Sequence, residues 1–456
     1  MSDPANPTVA YGAWLAEAGG FPSEALEMAQ RHFVDTLAVT IRGAEEEAPL
    51  RALGAVAGWG SGDCTVIGAC PRLPAPWAAM VNGTAAHVLD FDDNFDPGKA
   101  HASAVLVPAI LALAEQEDLS GGACLDAYVA GLQILGRVGE GLNPVHRTRG
   151  WHATGTLGAV GAAAACARLL QLDGRQAAFA LSIATSMAGG FMSQLGSMMK
   201  PIHAGLAAKA GILAATFARS GVDAGLGTLE GPTGMTGLMV GQDYEALRAV
   251  QPLRFETEAV GEPLLVLTPG LRVKRFPNCA SAHRAMEALL DLRARHGFAA
   301  AEVEQVVVRA PSRQFANLMF TDPASALEGK LSLEFALAVI LLEGDFTLSH
   351  VGEETVARGD VRALYGRIKR EPFEEAPSGP RAEVAVTLTD GRRFEACVVE
   401  PFGSPSRPFG AADYWRKFDA CLHGFLPDAR LAALRDALER LPELPSVRAL
   451  MVPLAG

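Results

Sequence analysis

From Ser23 to Ser220 the apolar positions follow a helical rather than an alternating period, and on several segments they occupy nearly every face. The pattern predicts helices at Ser23–Ile41, Ala75–Asp90, Ala104–Glu117, Gly122–Glu140, Gly155–Leu170, Gly174–Ala188 and Ala204–Ser220. Most are rich in Ala and Leu. A helix that is apolar all round must lie inside a large helical body or an oligomer. Small side chains let the axes of such helices approach closely. Asp173 supplies a capping residue ahead of Gly174, and Phe21-Pro22-Ser23 reads as a second cap.

The period changes near Pro263. Leu264–Leu267 and Leu271–Phe276 have strand character, and Val303–Ala310 is a β-branched run. Glu383–Thr389 and Arg393–Val399 flank Asp390-Gly391, a dipeptide that favours a hairpin turn. His283–His296 and Leu331–Leu342 are helical, and helix returns after Pro405 at Ala411–Gly424 and Leu431–Leu441. The expected architecture is mainly α. A large all-helical domain is built from both chain ends (1–264 and 405–456), and a smaller α/β lid domain occupies 265–404. The stretches 311–330 and 343–380 are expected as lid loops that shape specificity.

Composition narrows the function. The 456 residues are 49% apolar and 20% charged, which excludes a disordered chain. A net charge of -12 argues against nucleic acid and against an anionic membrane surface. The uncharged run between Arg175 and Lys200 is interrupted by Gln176, Ser182, Thr185, Gly189, Gly190 and Gln194, so it reads as a buried helix and a Gly/Ser/Met loop, not a membrane span. Seven cysteines without a CxxC pair suggest reduced, mostly buried thiols in a cytoplasmic protein, with Cys279 kept open as an exception. The first residues lack a basic segment followed by an apolar one, so no secretory signal is expected. Only seven residues are lysine, so each lysine is an uncommon choice.

Four stretches carry candidate chemistry. After Asn82-Gly83 and His87 come Asp90, Asp92, Asp93 and Asp96, followed by Lys99 and His101. Neither the spacing nor the glycine of an EF-hand is present. Carboxylates at a helix C-terminus oppose its dipole, so Lys99, His101 or a substrate-binding cation is expected to stabilise them. Arg147, Arg149 and His152 precede an Ala-rich helix that Thr154 could cap, and the free N–H groups there suit a carboxylate. Lys200 ends the uncharged run, with His203 and Lys209 beyond it, and Pro201 suits the first turn of the next helix. A lysine in desolvated surroundings shifts its pKa downward, which is how catalytic lysines arise. Lys274 and His283 flank Pro277 and Cys279 where a helix begins near Ala280.

Together these blocks resemble the MmgE/PrpD family. Asn82–Asp93 matches an Asn-Gly block ending in DFDD, and His101 matches a later histidine. Gly150–Gly158 matches GxHxTxTxG, Lys200–Ala208 matches KPxHxGxAA, and Lys274–His283 matches a Lys…Pro-x-Cys…His block. The resemblance spans essentially the whole chain. It implies a homodimer, a site between a helical domain and a lid, and chemistry without a metal or other cofactor. It places catalytic groups on Asp90, His101, His152, Lys200 and His283. Substrate contacts fall on Asn94, Arg147, Arg149 and Lys274. The implied reaction is proton abstraction next to a carboxylate of a small di- or tricarboxylate, as in 2-methylcitrate dehydration. Epimerisation of iminodisuccinate and decarboxylation of cis-aconitate are the alternatives. The loop from Asp93 to His101 looks like the epimerase branch, but Arg147 stands where that branch looks to carry a tyrosine. Lys200, Arg149 and Lys274 are expected to hold substrate carboxylates. His101 or His152 is the expected base, Asp90 its orienting group or itself the base, and His283 the acid.

Overall fold

The structure, a computed structural model, describes residues 6–374 and 380–455. Residues 1–5 of the expected signal-free start and 375–379 of the stretch 343–380 lie outside the described residues. The fold is mainly helical with one small sheet. The chain forms two compact units: one runs to Arg272 and resumes at Gly410, and the other is Val273–Phe409.

The first unit is built on ten helices up to Arg219. They are α1 (Pro7–Glu17), α2 (Ser23–Gly43), α3 (Glu47–Val56), α4 (Ala75–Val88) and α5 (Ser103–Glu117), then α6 (Gly121–Leu142), α7 (Val145–Thr148), α8 (Ala153–Leu169), α9 (Gly174–Thr185) and α10 (Met199–Arg219). Every residue of α8 except Arg168 is buried, as expected of a helix apolar on all faces. It packs against α6 and α10, and α10 packs against α4. Glycines permit the α4–α10 approach: a Cβ on Gly205 would fall 2.1 Å from the Met80 carbonyl oxygen.

Asp173 and Gln176 form a complete capping box at α9. The second expected cap is corrected. Pro22 occupies the cap position in an extended conformation and Ser23 is already helical, so no hydroxyl serves the first turn. Helix α10 begins at Met199, earlier than the pattern suggested, because Pro201 fits the first turn without losing a bond. By length and composition α10 could cross a membrane, although most of it lies within the helical packing.

Leu264–Leu267 and Leu271–Phe276 are not strands. Side chains of α6 take the backbone groups that a ladder would pair. Gln133 accepts from the Leu265 N–H at 2.8 Å and donates to the carbonyls of Val260 and Pro263. Arg137 donates to Glu262 O at 2.6 Å. Arg272 makes a single bridge to Asn94.

From Gly410 onward the chain rejoins the first unit. Helix Ala411–Leu422 lies against α2. Its Lys417 ammonium sits 2.8 Å from Asp35 Oδ1, donates to Phe91 O at 2.7 Å and lies over the Phe91 ring.

The second unit holds a four-stranded sheet in the order β2-β1-β3-β4, comprising β1 (Val303–Pro311), β2 (Ile368–Phe373), β3 (Ala382–Leu388) and β4 (Arg393–Val398). β2 runs parallel to β1, and the other neighbours are antiparallel. The β3–β4 hairpin turns at Asp390-Gly391, where Gly391 has φ 86°. β2 falls in the stretch expected as a lid loop. Its sequence, Ile-Lys-Arg-Glu-Pro-Phe, is charged and contains a proline, which suits an edge strand and hides the strand pattern. Helix Ala280–His296 packs on β3 and β4, and Leu333–Glu343 packs on that helix.

Candidate active site

Helix α4 ends at Val88, and Asp90 follows in the left-handed region with φ 52°. A non-glycine residue there is held by its surroundings. The carboxylates that follow go to different partners. Asp90 Oδ1 accepts from the Lys200 ammonium at 2.9 Å. Asp92 Oδ2 lies 2.8 Å from His87 Nδ1 and 3.2 Å from His101 Nδ1. Asp93 accepts from the hydroxyl of Ser103, which also meets the Tyr128 hydroxyl, and lies 3.5 Å from His32 Nδ1. Asp96 is half-exposed and pairs with Lys99 and Arg272. Two expectations are thereby corrected. Lys99 serves the outer carboxylate only, and Asp92, not Asp90, stands against His101.

The histidines gather around these acids. The rings of His87 and His101 are 4.5 Å apart, and those of His87 and His152 are 5.9 Å apart. The backbone N–H of His101 donates to Thr154 Oγ1 at 3.1 Å, so Thr154 ties down the loop instead of capping α8. His152 takes the cap position of α8 and donates its N–H to Gly190 O. Its Nδ1 lies 3.0 Å from Nδ1 of His203.

Electrostatics divides these rings. Burial lowers the pKa of His87 to about 4, outweighing Asp92. Burial, reinforced by His87 and Lys200, holds His152 well below the usual imidazole range, and burial lowers His203. Burial alone would push Asp92 up, but His87 and His101 hold it well below the usual carboxylate range. His101 is therefore backed by an anion, whereas His152 is backed by a neutral ring.

One donor atom each from His87, Asp90, Asp92 and His101 converge within 4.8 Å, a spacing that a divalent cation would accept. The Lys200 ammonium already stands against Asp90, so the group is organised around a lysine and the four are not read as metal ligands.

Asp90, His101, His152 and Lys200 are thus brought together. Asn94 lies in the same loop, half-buried, with its Oδ1 enclosed and without a hydrogen-bond partner. Arg147 is half-buried and, after burial itself, helps to lower the pKa of neighbouring His146 to about 4. Arg149 is exposed and pairs with Asp243 at 3.2 Å at the surface. Lys274 and His283 belong to the second unit. Lys274 is fully enclosed, and His283 sits in the first turn of Ala280–His296, edge-on to Phe276. Cys279 precedes that turn, half-buried, with its N–H on Lys330 O. All seven cysteines are free, and four are buried.

Sequence reasoning missed His87, Asp92 and His203 as site residues. All three stand inside the blocks that were singled out. Their signal was the clustering itself, because each sits within five residues of a group that was chosen.

The MmgE/PrpD N-terminal domain matches residues 15–247, and the MmgE/PrpD C-terminal domain matches 276–441. Human cis-aconitate decarboxylase is 29% identical over 399 residues, covering 84% of this chain and 80% of the relative. The mouse protein of the same name is 28% identical over 387 residues, covering 82% and 77%. A cis-aconitate decarboxylase from Aspergillus terreus is 25% identical over 454 residues, covering 94% and 91%.

Proposed function

The chain belongs to the MmgE/PrpD family, and from that premise we propose that it is a lyase that releases CO2 from a small unsaturated tricarboxylate of the cis-aconitate kind. The observation that carries this reading is the close grouping of the Lys200–Asp90 pair with the Asp92-backed His101 and the neutral His152. The decarboxylases among the relatives support the choice of reaction over the dehydration that the resemblance first implied.

The chemistry asks for two things. Loss of CO2 from the saturated arm breaks a C–C bond and leaves its electron pair to form a new double bond. The pair of the old double bond then moves to the carbon beside the far carboxylate, and that carbon takes one proton. A fixed cation is needed where negative charge gathers, and a single proton donor is needed at that carbon. Lys200 supplies the cation. Oriented donors of this kind are each worth about 3–4 kcal/mol in other enzymes. His101, held against Asp92, carries the proton to that carbon. Neutral His152 donates a hydrogen bond to the substrate. Asn94 offers a polar contact in the same loop, and Lys274 and His283 are further candidates for a carboxylate and a proton.

Dehydration of 2-methylcitrate stands as the second reading, because a carboxylate-backed neutral imidazole is equally suited to removing a proton. We further propose a homodimer, as the family resemblance implies, in a reducing, cytoplasmic compartment, as seven cysteines without a CxxC pair suggest. The test is incubation with cis-aconitate, 2-methylcitrate, citrate and iminodisuccinate, following CO2, ultraviolet absorbance and optical rotation. CO2 from cis-aconitate is expected. A new C=C absorbance from 2-methylcitrate without CO2 would transfer the assignment to dehydration, and rotation change alone to epimerisation.

A further inference from the structure

We propose that Asp92 is the positioning residue for the proton-carrying histidine, holding His101 through an oxygen that it shares with His87. The inference rests on the acid–base role given to His101 above. Asp92 is fully enclosed, and its Oδ2 lies 2.8 Å from His87 Nδ1 and 3.2 Å from His101 Nδ1. A carboxylate accepts and does not donate, so His87, hydrogen-bonded to it, presents Nδ1 as N–H. His101 Nδ1 is enclosed at 3.2 Å from the same oxygen without an aligned hydrogen bond to any described residue, and the same N–H form is assigned to it. Nε2 of His101 is then the nitrogen left to exchange a proton with the substrate. Contacts of this kind are often long without substrate and tighten in the complex.

His87 is the second holder. It comes from the last turn of α4, is enclosed and stays neutral, so it fixes the position of Oδ2 without adding charge. Thr154 holds the backbone of His101 from the other side. The charged and titratable groups around His101 are Asp92, His87, His152, and Lys200 with Asp90. Asp92 acts through His101 and does not need to touch the substrate. A wrong tautomer of a triad histidine costs about 10⁴-fold in a serine protease, which shows how large such an effect can be.

The test uses the full chain labelled with 15N-histidine, without substrate, in long-range proton–nitrogen correlation. Signals are assigned with His87→Gln and His101→Gln. Both rings are expected as Nδ1–H tautomers, and Asp92→Asn is expected to release His101 from that form. In turnover, Asp92→Asn lowers kcat by about 10²-fold or more with KM near the parent value, and Asp92→Glu recovers part of it. An Nε2–H tautomer for His101 in the parent, or unchanged kcat in Asp92→Asn, overturns the proposal. Should Asp92→Asn fail to fold, His87→Gln carries the test: removing the second holder is expected to weaken the Nδ1–H signature of His101, and an unchanged signature overturns the shared hold. If the parent turns over none of the four acids, the reaction assigned above fails while the tautomer result still decides this inference.

Discussion

The ammonium of Lys200 stands 2.9 Å from Oδ1 of Asp90, joining the first turn of α10 to a left-handed residue just past α4. The pair fixes one cation beside the histidines. Lys200→Ala is expected to lower kcat by about 10²–10³-fold, the scale of removing one charge-stabilising donor. It also takes from buried Asp90 the ammonium it pairs with, a change that costs about 3–5 kcal/mol when the site is fully enclosed. Lys200 is 13% exposed, so the lower end is expected. Lys200→Arg does not restore turnover, because a planar guanidinium cannot occupy the place of a compact ammonium. Steady-state kinetics beside urea unfolding separates the two losses.

His152 and His203 meet through their Nδ1 atoms at 3.0 Å, so one ring donates and the other accepts. His203→Phe keeps the ring volume and removes the partner. An unsatisfied buried group costs about 1–3 kcal/mol, and the orientation of His152 is lost with it. kcat is expected to fall more than stability does, and His203→Gln, whose amide can donate or accept, recovers part of it. Equal kcat in His203→Phe and the parent would show that the contact only packs.

The α4–α10 crossing sets how Lys200 faces His87. A Cβ on Gly205 would lie 2.1 Å from Met80 O and 2.6 Å from Thr84 Oγ1, and both belong to α4. Gly205→Ala is expected to cost about 1–3 kcal/mol by overpacking and to lower activity by moving α10. Gly54, in α3, has open space beyond its Cα. There the same substitution should stabilise by about 0.4–1 kcal/mol and leave kcat alone.

Acid should weaken the fold through its buried histidines: His87, His146, His152 and His203 are held below the ordinary imidazole range, and two of them define the window. Burial lowers His87 and His146 to about 4, below the ordinary imidazole value of 6.5. The folded chain therefore binds fewer protons than the unfolded one between those values. Stability is fully present above pH 6.5 and is lost as pH falls through the window to about 4. Each group contributes about 3 kcal/mol to that loss. Unfolding at pH 7 and pH 4.5 should show the decline, and His146→Gln, which can still meet Thr156, should remove the part that His146 contributes.

Much of this was legible in the chain. Helices apolar on every face announced themselves, and Asp390-Gly391 marked the hairpin. The errors have physical sources. Leu264–Leu267 looks like a strand because it is apolar and short, yet Gln133 takes the Leu265 N–H from the side and Arg137 holds the Glu262 carbonyl just before the segment. β2 was hidden because an edge strand tolerates charge and proline. At the site, residue types found the region but not the pairings. Asp92 and Asp93 are neighbours in sequence and face opposite companies, one toward His87 and His101 and the other toward Ser103 and His32. Arg149, expected as a carboxylate holder from its position before α8, has Asp243 within its reach at the surface, a pairing across 94 positions that the local pattern does not announce.

The support under Phe91 arrives late. Lys417 reaches it across 326 positions of sequence, with its ammonium between Asp35 and the Phe91 carbonyl. As the chain leaves the ribosome, every candidate catalytic group emerges before that wedge does. A polypeptide halted short of Lys417 would carry the full chemical inventory around a loop still missing its brace. A chain truncated ahead of Lys417 is therefore expected to be inert rather than partly active, and turnover by such a chain would show that the brace is dispensable.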